Sequence, residues 1–186
     1  MNSEISNSEN SGIGDISLSI WKQIVARNRT RPSLLARFTY VVPTGEDPFE
    51  TSIPLGSGFH VLQGTLSTVK SVAPVAFYGD LSYSYPISRM IEGQKLAPGN
   101  AIGIGLGSTL AATPEIALSL DMNFAFVGKF EVDGITIDST DRTIGTVGLG
   151  AGFLLSQRMY LSISGQFGVT DDASDLGVSV ALPMRF

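Results

Sequence analysis

The chain has 186 residues, of which 43% are hydrophobic and only 16% charged, with a net charge of −5. That is the length of one domain, and an acidic balance without a local basic cluster argues against a nucleic-acid surface. Cysteine is absent, which removes disulfides, thiolate chemistry and zinc fingers together, and no apolar run approaches the roughly 18 residues of a membrane-spanning helix.

The opening residues 1–12, MNSEISNSENSG, form a polar, acidic leader, the reverse of a secretory signal's charged and then apolar plan. Residues 13–186 read as one all-β domain. Over 14–24, Ile16, Leu18 and Ile20 share one face, with Asp15, Ser17, Ser19 and Trp21 on the other. A basic turn through Arg27, Arg29, Arg31 and Pro32 leads to Leu34, Ala36, Phe38, Tyr40 and Val42, opposed by Arg37 and Thr39. The stretch 43–58 is too rich in Pro and Gly for regular structure. The strand over 59–70 sends Leu62 and Leu66 to the apolar face and Gln63, Thr65 and Ser67 to the polar one.

After the short link 71–74, Val75, Phe77, Leu81, Tyr83 and Tyr85 oppose Tyr78, Asp80, Ser82 and Ser84. A long polar loop is expected over 86–100. Ile102, Ile104, Leu106 and Leu110 follow, backed by Gly103, Gly105 and Gly107. Beyond a tight turn, Ile116, Leu118, Leu120, Met122, Phe124 and Phe126 oppose Ala117, Ser119, Asp121, Asn123 and Ala125. The Asp-rich loop 128–142 has room for a hairpin extension through Ile135 and Ile137. Val147, Leu149, Ala151, Phe153 and Leu155 then alternate with Gly148, Gly150 and Gly152, and Leu161, Ile163 and Phe167 oppose Tyr160, Ser162, Ser164 and Gln166. No helix is predicted anywhere.

The closing stretch 176–186, LGVSVALPMRF, puts Leu176, Val178, Val180, Leu182, Met184 and the terminal Phe186 on one face. It resembles the C-terminal assembly signal of bacterial outer-membrane barrels, with Leu182, Met184 and Phe186 as its readable part. The links between strands alternate short and long, as periplasmic turns and extracellular loops do in such barrels. About nine strands of about ten residues match the length that a tilted strand needs to cross hydrocarbon. The expected fold is an antiparallel up-and-down transmembrane β-barrel, this chain supplying about nine strands of a ten- to twelve-stranded wall.

The polar faces name a candidate pore lining: Arg37, Gln63, Asp80, Asp121, Asn123, Gln166 and Arg185. A charge facing lipid at mid-depth costs about 2–4 kcal/mol, so their consistent placement supports the inside-out assignment. In a wet lumen these groups set ion preference; they serve equally to keep the lumen wet and the strands in register. Tyr40, Tyr83, Tyr85, Phe153 and Phe167 lie near strand ends and fit an interfacial aromatic girdle. GIGLG and GLGAG lack the strand-then-helix context of a dinucleotide fingerprint; glycines at period two instead keep a barrel interior open or let a strand bend. His60, the only histidine, has no nucleophile context, and neither it nor the acidic loop (Glu131, Asp133, Asp138, Asp141) has metal-site spacing. No catalysis, metal or cofactor is expected.

An odd strand count with the C-terminus in the periplasm would leave the leader outside the cell. The expectation is therefore an odd number of strands, and a signal peptide, upstream of Met1. The segments GIGDISLSI, RPSLLARFTYVVPTGED, LGSGFHVLQGTLS, PVAFYGDLSYSY, GNAIGIGLGSTLAATPEIALSLDM and LPMRF, in that order, resemble the MetA-pathway phenol-degradation transporter family of outer-membrane barrels. The resemblance implies a barrel of about twelve strands and a channel for hydrophobic or aromatic compounds. The functional expectation is passive passage of small solutes across the bacterial outer membrane. The partners would be outer-membrane lipid, the barrel-assembly machinery and the solute, with the oligomeric state open. A plugged structural or adhesive barrel, a polypeptide-export pore and a soluble ligand-binding barrel stand as alternatives.

Overall fold

Strands that are apolar on one side and polar on the other satisfy their backbone groups only by lying side by side, so the alternation above demands a sheet. The computed structural model describes residues 12–26, 28, 31–46 and 55–184, and every regular element among them is a strand. In chain order these are β1 (Ile16–Val25), β2 (Ser33–Val42), β3 (Val61–Val72), β4 (Val75–Pro86), β5 (Arg89–Ile91), β6 (Gln94–Ala97), β7 (Ala101–Ala111), β8 (Ile116–Val127), β9 (Glu131–Val132), β10 (Ile135–Thr136), β11 (Arg142–Ser156), β12 (Met159–Gly168) and β13 (Leu176–Ala181).

Nine of them form one antiparallel sheet in the order β1-β2-β3-β4-β7-β8-β11-β12-β13. The register keeps the two faces apart across its width. Leu18, Tyr40, Leu62 and Tyr85 stand in one apolar row. Ser19, Thr39, Gln63 and Ser84 stand in the polar row behind it. A one-residue slip anywhere would exchange the faces, so the pattern itself specifies the register.

The sheet is, among the described residues, a single layer with no second layer behind it. Among the described residues the only buried large hydrophobics are Phe59 and Leu96, both in or beside loops. The apolar face is instead open: Ile20 is 72% exposed, Val178 71% and Leu18 63%. An uninterrupted exposed apolar face of this extent is incompatible with water and suits an apolar medium. Among the described residues β1 pairs with β2 alone and β13 with β12 alone, so the sheet is not closed. Both edge strands run from the long-loop end to the short-turn end.

Two expectations are corrected. The stretch 86–100 is not merely a polar loop, because Glu92 (φ 50°) and Gly93 (φ 85°) turn it into the hairpin β5–β6. Asp133 (φ 52°) and Gly134 (φ 79°) do the same for β9–β10, starting the extension expected there. Two consecutive residues with positive φ match the twist of a two-residue hairpin. The hairpins then pair with each other, Leu96 with Val132 and Ala97 with Glu131, as a four-stranded loop sheet. The second correction concerns the C-terminal strand, whose ladder stops at Ala181. Pro183 has no amide to donate, although its carbonyl still accepts from Tyr160 N at 3.3 Å and Met184 bridges to Met159. Arg185 and Phe186 lie outside the described residues.

The loop before β3 is held by a carboxylate. Asp15 accepts from Ser57 N (2.7 Å), Ser57 Oγ (2.8 Å) and Gly45 N (3.1 Å), tying both ends of that loop to the start of β1. Burial pushes the Asp15 carboxyl up, but the amide and hydroxyl of Ser57 and the amides of Gly45 and Thr44 outweigh it and hold it below the usual aspartate range.

Candidate functional site

The polar face gathers the predicted residues, and the register decides which of them meet. Trp21, Arg37, Thr65 and Ser82 make one row across β1 to β4. Asp80, Gly105, Asn123 and Thr146 make another across β4, β7, β8 and β11. Tyr78, Gly107, Asp121, Gly148 and Gln166 make the next. Asp80, Asn123 and Gln166, with Ser82 and Thr146, border one hollow of about 340 Å³. Asn123 Nδ2 donates to Asp121 Oδ1 at 3.2 Å. Arg37 and Gln63 stand on β2 and β3, outside this group, and Arg185 lies outside the described residues.

The glycines do more than leave space. A β-carbon on Gly105 would lie 2.8 Å from Asp80 Cγ, and one on Gly148 would lie 2.8 Å from Asp121 Cγ. Gly107 receives the ring of Tyr78, and Gly152 the phenol of Tyr160, in the same way. Each large polar side chain thus lies flat across the glycine of the next strand, which it covers; Gly105, Gly148 and Gly152 are buried as a result. This is the cross-strand pairing of a long side chain with a glycine that otherwise weakens a strand. The consequence is a polar wall whose carboxylates are held close to the backbone and spaced by register.

Tyr78, Tyr160 and Thr146 belong to this polar face as well and were not among the predicted residues. Alternation alone put Tyr78 and Tyr160 on the polar face; what was missing was their glycine partners one strand away. Thr146 is only 7% exposed, the one buried polar side chain among the described residues.

The predicted aromatic residues all lie on the apolar face. Tyr40 and Tyr85 flank Leu62 near the long-loop end, with Tyr83 two residues below Tyr85. Phe167 is level with Leu176 at the same end, whereas Phe153 pairs with Ile116 at the short-turn end. Tyr40 is also tethered, its hydroxyl 2.8 Å from His60 Nδ1 with the rings stacked at 5.7 Å. His60 is therefore a structural partner of Tyr40. Leu182 and Met184 follow the end of β13, both half exposed.

An open, single-layer antiparallel sheet with one apolar and one polar face is the wall of a membrane β-barrel. Residues 1–186 match the family described as MetA-pathway of phenol degradation, and the chain belongs to it. Its fold is similar to the crystal structure of an outer membrane channel from Pseudomonas putida F1, with a TM-score of 0.75 at 15% sequence identity. That match covers 93% of this chain and 65% of the channel, so the chain spans about two-thirds of that protein's length.

Proposed function

We propose that this chain forms the wall of an outer-membrane channel through which small solutes pass without chemistry, the polar face turned to the passage. The observation that carries the reading is the polar wall itself, where Asp80 and Asp121 lie flat over Gly105 and Gly148 and Asp80 borders a hollow with Asn123 and Gln166. Two carboxylates, Asn123 and Gln166 along neighbouring rows favour cations and polar solutes. The family's description, which names phenol degradation, supports solutes that are aromatic in part.

In this reading the apolar face meets outer-membrane lipid, and Tyr40, Tyr83, Tyr85, Phe153 and Phe167 sit at its two interfaces. Leu182, Met184 and Phe186 are the groups offered to the barrel-assembly machinery. The protein refolded in detergent and added to a planar bilayer should give discrete conductance steps. Asp80→Asn combined with Asp121→Asn should lower the preference for cations over anions by about two- to fivefold, read from the reversal potential in a salt gradient. An unchanged reversal potential would remove the carboxylates from the passage.

One observation favours a second reading. The long loops make their own sheet with Leu96 buried in it, as a barrel that presents a folded surface outside would require. Insertion with a heat-sensitive gel mobility but no conductance would select that structural role.

A further inference from the structure

A second recess lies at the long-loop end, beneath the loop sheet. Ala97 pairs with Glu131 there, and Lys95 stands two residues back along β6, so Lys95, Ala97 and Glu131 share one face of that sheet. The opposite face carries Leu96, which is buried. The first face borders a recess of about 430 Å³ whose other walls include Tyr85, Pro86 and Pro98. Its size falls within the range of small-molecule sites.

The charges around the recess are not equivalent. Lys129 lines it too, but its ammonium is 2.8 Å from Asp138 Oδ1 and is already matched. The Lys95 ammonium has no ion-pair partner among the described residues. Its backbone is pinned, however: Lys95 N donates to Asp133 Oδ1 at 2.7 Å, and Asp133 N donates to Lys95 O at 2.8 Å. Glu131, on the same face, contributes the single carboxylate among the described residues of the lining.

We propose that this recess binds a small organic monoanion, a carboxylate on a compact apolar body. Lys95 takes the carboxylate, and Pro86 and Pro98 take the body together with Tyr85, which borders the recess from the rim of the apolar face. Glu131 repels a second negative charge and so sets a preference for monoanions over dianions. The proposal rests on the reading above in one respect, that solutes arrive from the long-loop side.

The test is equilibrium dialysis of radiolabelled benzoate against the full chain folded in detergent, with phthalate and benzyl alcohol for comparison. Benzoate should bind saturably at one site, with phthalate and benzyl alcohol each weaker by about fivefold or more. Lys95→Gln should weaken benzoate by about fivefold, and Glu131→Gln should strengthen phthalate by a similar factor, both variants keeping the heat-sensitive gel mobility of the folded barrel. Absence of saturable benzoate binding, equal binding of benzyl alcohol, or indifference to Lys95→Gln would overturn the proposal. Conductance measured on the same preparation separates the two readings. Conductance without saturable binding removes the recess alone, whereas saturable binding without conductance removes the channel and leaves the recess.

Discussion

The sheet has two unlike parts. From β4 to β12 the polar face alternates long side chains with glycines, and Tyr78, Asp80, Asp121 and Tyr160 each rest on a glycine of the neighbouring strand. From β1 to β3 the same face carries Trp21, Gln23, Leu35, Arg37 and Gln63 and no glycine at all. The only glycine there, Gly64, is on the apolar face with nothing within 4 Å of where a β-carbon would be. The long loops differ as well. The loop between β2 and β3 hangs on the Asp15 carboxylate, whereas the loops beyond β4 and β8 hold each other through backbone pairing. One part is thin and fixed by interlocking, the other thick and fixed by individual polar contacts. Glycine therefore has opposite meanings in the two places, a filled seat on the polar face of β4 to β12 and a gap at Gly64.

The largest effect should come from filling a seat. Gly107→Val drives a side chain into the space of the Tyr78 ring and should destabilise the folded barrel by about 1–3 kcal/mol in urea titrations. Adding Tyr78→Ala to that variant should recover part of the loss; no recovery would break the interlocking account.

Removing the single polar anchor comes next. Asp15→Ala deletes three hydrogen bonds to a carboxylate and should cost about 1–2 kcal/mol at neutral pH. Because the folded-state pKa of Asp15 is lowered, its contribution is present above the ordinary aspartate range and fades as pH falls through the lowered value. Wild type and variant should accordingly converge on acidification, and a gap that persists in acid would assign the loss to something other than the carboxylate.

Gly64→Val should have the smallest effect, within about 0.5 kcal/mol or slightly stabilising, since a β-branched residue enters open space on a strand. A cost as large as that of Gly107→Val would erase the distinction between the two parts of the sheet.

Much of the fold was legible because a membrane-type sheet writes each face into alternate residues. The polar-face Gln63 and Asp121 and the apolar-face Leu62 and Met122 needed no knowledge of their neighbours. Even the loop hairpins carried a signal, in Glu92-Gly93 and Asp133-Gly134 flanked by short β-prone runs. The first was passed over because its polar surroundings read as loop. The end of β13 was overextended because alternation continues through Pro183, which cannot join the ladder on its own amide.

Alternation with period two thus determined from the sequence alone that the protein is a sheet, which residues share a face, and that one face is built for an apolar medium. It could not determine what lies beside what, because cross-strand neighbours are separated by turns whose length sets the register. Only the tertiary structure decided that Asp80 falls on Gly105, that Asp121 falls on Gly148, and that Lys95 and Glu131 come to share one small face. Those pairings depend on hydrogen bonds between strands far apart in the chain, and no single strand contains them.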